Sequence, residues 1–256
     1  MLLTLDNICK SFGDTVAVNN LSLQVPEGVI YGIIGPNGAG KTTTIRMIMN
    51  ITIPDAGRVL IDDQPATPDF RNRVGYLPEE RGLYKKMTVT EVLVYMAQLK
   101  GCSAQAAQSQ VDPWLERMGL FDYRSKKVEE LSKGMQQKLQ FISTILHDPD
   151  LVILDELFSG LDPLNIEIIK DILLELKRNG KTILFSTHVM EQAEKLCDHV
   201  CMISHGCKVI DGSMTEVKAQ FGRNSVQIEI EGNGHFLREL SGVLHVTEFN
   251  NYLELE

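Results

Sequence analysis

An α/β fold with a parallel central sheet is predicted by three observations. Val29-Ile-Tyr-Gly-Ile-Ile34 is an apolar strand that runs into a glycine-rich turn and then a helical stretch, Thr42–Ile51. Leu151-Val-Ile-Leu154, closing on Asp155-Glu156, has the unbroken apolar character of a strand covered on both faces. Thr182–Thr187 repeats that character after an intervening helix, so strands and helices alternate as a parallel sheet requires.

The remaining elements follow in order. Roughly the first thirty residues alternate apolar and polar, as in Leu2-Leu-Thr-Leu5 and Leu21-Ser-Leu-Gln-Val25. Turn signals at Gly13-Asp14 and Pro26-Glu27-Gly28 divide them into short antiparallel strands. From about Gly82 a helical insert begins: Thr88 and Glu91 have capping-box spacing, and that helix closes near Gly101. Val111–Met118 and Ser132–Leu146 continue it, giving a helical subdomain over about 82–147. Asp162-Pro163 supplies an N-cap and a favoured first helical residue, and Ile166, Ile169, Leu173 and Leu176 recur at helical spacing until Lys177-Arg-Asn-Gly180. Val200–Ser204 and Lys208–Ile210 flank His205-Gly206 as a hairpin, and Ser213 and Glu216 are spaced to cap a short helix. After Gly222, the strand-like Val226–Ile230, a helical stretch around Phe236–Leu240, and the strands Leu244–Val246 and Tyr252–Leu255 predict a small α+β appendage, 222–256. It is expected to pack on the main domain, 1–221, and to end inside its last strand.

Composition narrows the function. The chain has 256 residues, 43% hydrophobic and 23% charged, enough to bury a full core. A bilayer-spanning helix needs roughly 20 mostly apolar residues, and the apolar runs here are strand-length. Met1-Leu-Leu-Thr-Leu-Asp6 lacks a basic flank and a long apolar core, so the chain is expected in the cytosol, with any membrane role exercised through a partner. The five cysteines are odd in number and form no C-x-x-C pair, which predicts reduced thiols. A net charge of −9 argues against a nucleic-acid partner.

The chemistry begins at Gly35-Pro36-Asn37-Gly38-Ala39-Gly40-Lys41-Thr42, followed by Thr43. This satisfies G-x-x-x-x-G-K-[ST] between an apolar strand and a helix. Glycines let the backbone curl so that successive N–H groups face a phosphate, and the helix N-terminus favours an anion. Lys41 is expected to bridge the β- and γ-phosphates of ATP, and Thr42 to place its hydroxyl on Mg²⁺.

A phosphate loop alone does not separate kinases, GTPases, helicases and transport motors. Leu131-Ser132-Lys133-Gly134-Met135 resembles the ABC signature, usually Leu-Ser-Gly-Gly-Gln, and precedes Leu151–Glu156 by the helix length that family uses. Ser159-Gly-Leu-Asp162 looks like the D-loop, His188 after Ile183-Leu-Phe-Ser-Thr187 like the switch histidine, and Phe12 like the aromatic that stacks adenine. These motifs occur in family order over about residues 1–220, so the chain resembles the ATP-binding subunit of an ABC transporter. Tyr76–Tyr84 and Leu131–Lys138 look, more finely, like bacterial exporter subunits of the sodium-export and drug-resistance type.

The resemblance implies a P-loop core of ABC type with an N-terminal antiparallel β-subdomain and a helical signature subdomain. It implies an ATPase in which Asp155 holds Mg²⁺ through water, Glu156 polarises the attacking water, and His188 contacts the γ-phosphate. Ser132–Met135 and Asp162 would complete the site of a second, identical subunit, so that two Mg·ATP close a homodimer. The product is export through a separate transmembrane permease, which would hold this chain peripherally on the inner face of the cell membrane. That permease would dock around Glu79–Thr90, including Leu83, Tyr84 and Met87. Two departures stand out. Glu79 occupies the place of the usual Q-loop glutamine and would add a carboxylate toward Mg²⁺. Lys133 and Met135 replace small Gly and polar Gln; Lys133 either adds charge beside the phosphate or points to solvent, and solvent is the expectation. An ABC-type ATPase that remodels nucleic acid or ribosomes would usually show paired ATPase domains or a long coiled-coil insert, and neither is seen in the sequence.

Overall fold

The computed structural model describes residues 2–65, 70, 72–80, 82–158, 160–221, 226–229, 236–237, 240, 242–248 and 253–255. The chain divides into two compact units, Met1–Ser213 and Met214–Glu256.

The first unit opens with β1 (Leu3–Phe12) and β2 (Thr15–Val25), an antiparallel pair in which Leu3, Leu5 and Ile8 turn inward. β3 (Ile30–Ile34) is buried at every position and leads to α1 (Lys41–Ile48). β4 (Ala56–Ile61) lies antiparallel to the other side of β1, and β5 (Gln64–Pro65) pairs with β4, so the first sheet runs β2-β1-β4-β5. β6 (Val74–Leu77) leaves that subdomain.

The helical insert follows as α2 (Val89–Leu99), α3 (Ala104–Arg117) and α4 (Lys133–Ile145). The Thr88–Glu91 capping box is present in both directions, the Thr88 hydroxyl accepting from Glu91 N at 3.3 Å and the Glu91 carboxylate from Thr88 N at 2.8 Å. α3 starts seven residues before the expected Val111, capped by Ser103, because its first turns are Ala- and Gln-rich rather than apolar and periodic.

The core sheet is completed by β7 (Leu151–Asp155), α5 (Pro163–Arg178), β8 (Thr182–Thr187), α6 (Met190–Leu196), β9 (His199–Ser204) and β10 (Cys207–Ser213). Its order is β10-β9-β3-β8-β7-β6, parallel throughout except for β10, which closes the β9 edge as an antiparallel hairpin. All residues of β3, β7 and β8 are buried, which accounts for their unbroken apolar runs. In this register Ile34 stands beside Thr187 and Asp155 beside Ser186. The carboxyl ends of β3, β8 and β7 therefore meet along one edge, the usual ligand position in open α/β sheets.

The second unit holds α7 (Met214–Phe221) and an antiparallel sheet of β11 (Val226–Ile228), β12 (Val246–Glu248) and β13 (Leu253–Leu255) in the order β11-β13-β12. Leu237, Leu253 and Leu255 form its own small core, with Ile228, Val243 and Val246 packed against them. Only Phe236–Leu237 of the expected helical stretch are described as a helical turn; 238–239, like Ile230 and Tyr252, lie outside the described residues. The expected strand at Leu244 begins at Val246 instead. All five cysteines are free thiols. Among the described residues no helix is long and apolar enough to cross a membrane.

Candidate active site

The loop after β3 is shaped by close backbone approach. Gly35 N donates to the Thr187 carbonyl at 3.3 Å, tying the loop to the end of β8. Gly40 is left-handed at φ +104, and a Cβ there would meet the Ala17 carbonyl at 2.4 Å, so only glycine lets α1 start this close to β2. Among the described residues no side chain caps α1. The N–H groups of Lys41, Thr42 and Thr43 have no acceptor within the helix, and they carry the positive end of its dipole. Pro36, Asn37 and Gly38 are exposed at the loop crest, whereas Ala39 is buried beneath it. Lys41 is 5% exposed. Its Nζ donates to the carbonyls of Gly35 at 2.9 Å and Pro36 at 3.1 Å.

The ends of β7 and β8 supply the opposite charge. Glu156 is left-handed at φ +51, a conformation a non-glycine residue holds at a cost of about 1–2 kcal/mol. Its N–H donates to Ser186 Oγ at 3.0 Å, and the Ser186 hydroxyl donates to Asp155 Oδ1 at 2.6 Å. One serine thus fixes both acidic residues. The Glu156 carboxylate lies between two partners, Oε1 at 3.3 Å from the Lys41 ammonium and Oε2 at 3.0 Å from the His188 ring nitrogen Nδ1. Burial raises the pKa of Asp155; the Ser186 hydrogen bond, the Thr42 hydroxyl and Lys41 oppose it, and the Glu156 charge adds to it. Asp155 Oδ2 is buried and accepts no hydrogen bond from the described residues. An orphaned carboxylate oxygen beside a threonine hydroxyl is an oxygen-only donor pair, and it fits a hard divalent cation that takes its remaining ligands from water and phosphate.

The other expected residues are placed as follows. Phe12 ends β1 with its ring 54% exposed, and Lys10 Nζ lies 5.6 Å from the ring centroid. Glu79, two residues past β6, is exposed and does not join Asp155 and Glu156 in a three-carboxylate cluster. It is nevertheless an electrostatic neighbour. The Tyr76 phenol is pushed up to about 12 chiefly by burial and then by Asp155, with Arg46 opposing and Glu79 adding. Ser132 caps α4, its Oγ accepting from Met135 N at 3.3 Å; Lys133 is exposed, and Gly134 and Met135 are half-buried. Asp162 caps α5 by accepting from Asn165 N at 3.0 Å, and that hydrogen bond leads in lowering its pKa. Ser159 lies outside the described residues.

Sequence reasoning passed over Ser186 and the two α4 glutamines. Gln137 Nε2 donates to the Leu157 carbonyl at 3.2 Å and Gln140 Nε2 to the Glu80 carbonyl at 3.3 Å, bracing the loops that carry Glu156 and Glu79. Nothing local in Thr182-Ile-Leu-Phe-Ser-Thr187 sets Ser186 apart from the threonines at either end; its buried hydroxyl, which needs a partner, marks it only once the strand is placed.

This architecture has relatives. The ABC transporter family model matches residues 18–159. The chain is 46% identical over 255 residues to the ABC transporter ATP-binding protein YhaQ of Bacillus subtilis, covering 100% of this chain and 86% of that one. It is 39% identical over 248 residues to the Nod factor export ATP-binding protein I of Burkholderia lata, covering 95% and 82%. A solved ATP-binding subunit of an ABC transporter superposes with a TM-score of 0.81 at 32% identity, covering 87% of this chain and 94% of that one. With a phosphate loop, an antiparallel β-subdomain and a mainly parallel core sheet in this arrangement, the chain belongs to the ABC transporter ATP-binding proteins, ATPases that partner with transmembrane subunits.

Proposed function

We propose that this subunit works in an exporter, as a homodimer that closes around two Mg·ATP and drives a separate permease from the inner face of the cell membrane. The observation that carries the reading is the line Lys41–Glu156–His188 at the joined ends of β3, β7 and β8. The phosphates of ATP take the N–H groups of Lys41, Thr42 and Thr43 at the start of α1 and the Lys41 ammonium as their counter-charge, while Phe12 offers its exposed face to adenine. A phosphate that engages Lys41 competes with Glu156 for that cation. The carboxylate so released keeps its His188 partner, in position to polarise a water. Ser132–Met135 and Asp162 serve the site of the second subunit, where the α4 N-terminus faces the γ-phosphate. Hydrolysis removes that shared contact, so the dimer reopens.

Thr42, Asp155 and Glu79 would hold Mg²⁺, which when bound neutralises charge on the phosphate oxygens. Glu79→Gln is expected to raise the Mg²⁺ concentration for half-maximal hydrolysis about two- to fivefold, the size of an exposed ion contact. An unchanged Mg²⁺ titration together with unchanged transport coupling would take Glu79 out of the site.

Export is supported by the name of the Burkholderia relative and by the resemblance of Tyr76–Tyr84 and Leu131–Lys138 to sodium-export and drug-resistance subunits. The permease is assigned to the surface around Glu79–Thr90. Tyr84 is exposed there, edge-on to Tyr95 at 5.3 Å, and a cavity of about 530 Å³ is lined by Met87, Thr90, Val94 and Tyr95 among others. The test is ATP-driven movement in inside-out vesicles carrying the chain with its permease, screened with sodium ion, hydrophobic dyes and a Nod factor. Accumulation inside the vesicle that stops with Lys41→Ala is the expected result. ATP-driven loss of a preloaded solute would assign import instead.

A further inference from the structure

The His205-Gly206 turn between β9 and β10 is absent from the residues assigned to nucleotide, yet its backbone joins two parts of the site. Gly206 N donates to the Ala39 carbonyl of the phosphate loop at 2.9 Å, and the Gly206 carbonyl accepts from Asn19 N on β2 at 2.8 Å. β2 is the hairpin partner of β1, which ends on Phe12. A single residue therefore bridges the phosphate loop and the hairpin that presents the proposed adenine platform.

The approach leaves no room for a side chain. Gly206 is buried at φ +76, and a Cβ there would lie 2.9 Å from the Ala17 carbonyl oxygen and 3.2 Å from Val18 Cα. That same Ala17 carbonyl abuts Gly40, so it is wedged between a glycine of the phosphate loop and a glycine of the turn. His205 and Gly206 both have positive φ, as a two-residue hairpin turn matched to strand twist requires. The hairpin is anchored from behind: the Tyr31 hydroxyl donates to Asp211 Oδ1 at 2.6 Å, which ties β10 to β3 across β9, and Lys208 Nζ on the same strand holds Asp211 Oδ2 at 2.8 Å.

We propose that Gly206 is a positioning residue that sets the spacing between the phosphate loop and the Phe12 platform, so that base and phosphates are engaged together. This rests on the roles given above to Phe12 and Lys41. Besides the Gly206–Ala39 hydrogen bond, the loop is held by the Gly35–Thr187 hydrogen bond and the two carbonyl contacts of Lys41, none of which involves Gly206. Displacing the turn should therefore cost the affinity that needs both subsites and spare the affinity that needs only the loop.

The test compares ATP with inorganic tripolyphosphate. Gly206→Ala and Gly206→Asn are expected to raise the KM and Kd for ATP on the order of tenfold, with tripolyphosphate binding held within about twofold. Asn tolerates positive φ, so a loss shared by both variants reports the contact with β2 rather than backbone strain. Gly180→Ala is the control: its φ is +82 but nothing lies within 4 Å of its Cβ, and both affinities should stay unchanged. Asp211→Ala, which removes the hydrogen bonds from Tyr31 and Lys208, should give a smaller loss of the same ATP-selective kind, and it carries the test if the Gly206 variants fail to fold. Equal losses for both ligands, no loss, or the same loss in Gly180→Ala would overturn the proposal. Lys41→Ala that still binds tripolyphosphate, or Phe12→Ala that keeps the wild-type ratio of the two affinities, would instead remove the underlying subsites, whatever Gly206 does.

Discussion

Glu156→Gln is expected to cut steady-state ATP hydrolysis by about 10²- to 10⁴-fold, the usual worth of a positioned general base, while ATP binding survives. The substitution keeps the shape of the side chain and alters one property. The backbone at φ +51 and the N–H bond to Ser186 do not depend on the carboxylate, so the end of β7 should hold its place. What disappears is the negative charge that sits 3.0 Å from His188 and 3.3 Å from Lys41 and that a water would need for activation. Binding should be kept or improved, because Lys41 retains the Gly35 and Pro36 carbonyls and no longer has a carboxylate competing with phosphate. Light scattering with and without Mg·ATP should then find a stable dimer in the variant, since the closed state can form but not discharge. Undiminished turnover would give the base role to another group. A monomer at saturating Mg·ATP would mean that closure needs the membrane subunit, or that Lys133 and Met135 prevent the signature from completing the site.

The parts of this fold that could be read from sequence are those where burial leaves a one-dimensional trace. β3, β7 and β8 are covered on both faces and so appear as apolar runs; Thr88 with Glu91 and His205 with Gly206 are local devices whose partners sit within three residues. β4 and β6 escaped notice. β4 is a half-exposed strand of the small antiparallel sheet beginning Ala-Gly-Arg, and β6 is four residues with a glycine among them, so neither shows a period. The site divides in the same way. Lys41, Asp155, Glu156 and His188 follow from motif spacing and order. Ser186 does not, because its task is to hold two residues about thirty positions away, and such a bond leaves no local mark. Gln137 and Gln140 would pass for the polar face of an amphipathic helix, yet both are buried and bonded to loop carbonyls.

Lys41→Ala is expected to weaken ATP binding by about 10²- to 10³-fold, corresponding to the loss of charge-assisted hydrogen bonds to phosphate worth about 1.5–3 kcal/mol each. Lys41→Arg should recover little, since the ammonium is almost fully enclosed by the Gly35 and Pro36 carbonyls and Glu156, and a planar guanidinium has a different reach and a larger body. The alanine variant should also be less stable before nucleotide is added. Removing the cation leaves Glu156 Oε1 buried without a hydrogen bond or a counter-charge, at a cost of about 1–3 kcal/mol. Those two effects have different owners, and a double-mutant cycle separates them. If the instability belongs to the stranded carboxylate, Lys41→Ala combined with Glu156→Gln should unfold at higher denaturant than Lys41→Ala alone, while ATP binding, measured by equilibrium titration, stays lost in both. If the double variant instead regains ATP, the weakness of Lys41→Ala came from repulsion between Glu156 and the phosphates rather than from a missing ligand. That result would make the release of Glu156 from Lys41, rather than the grip of Lys41 itself, the step that governs nucleotide affinity.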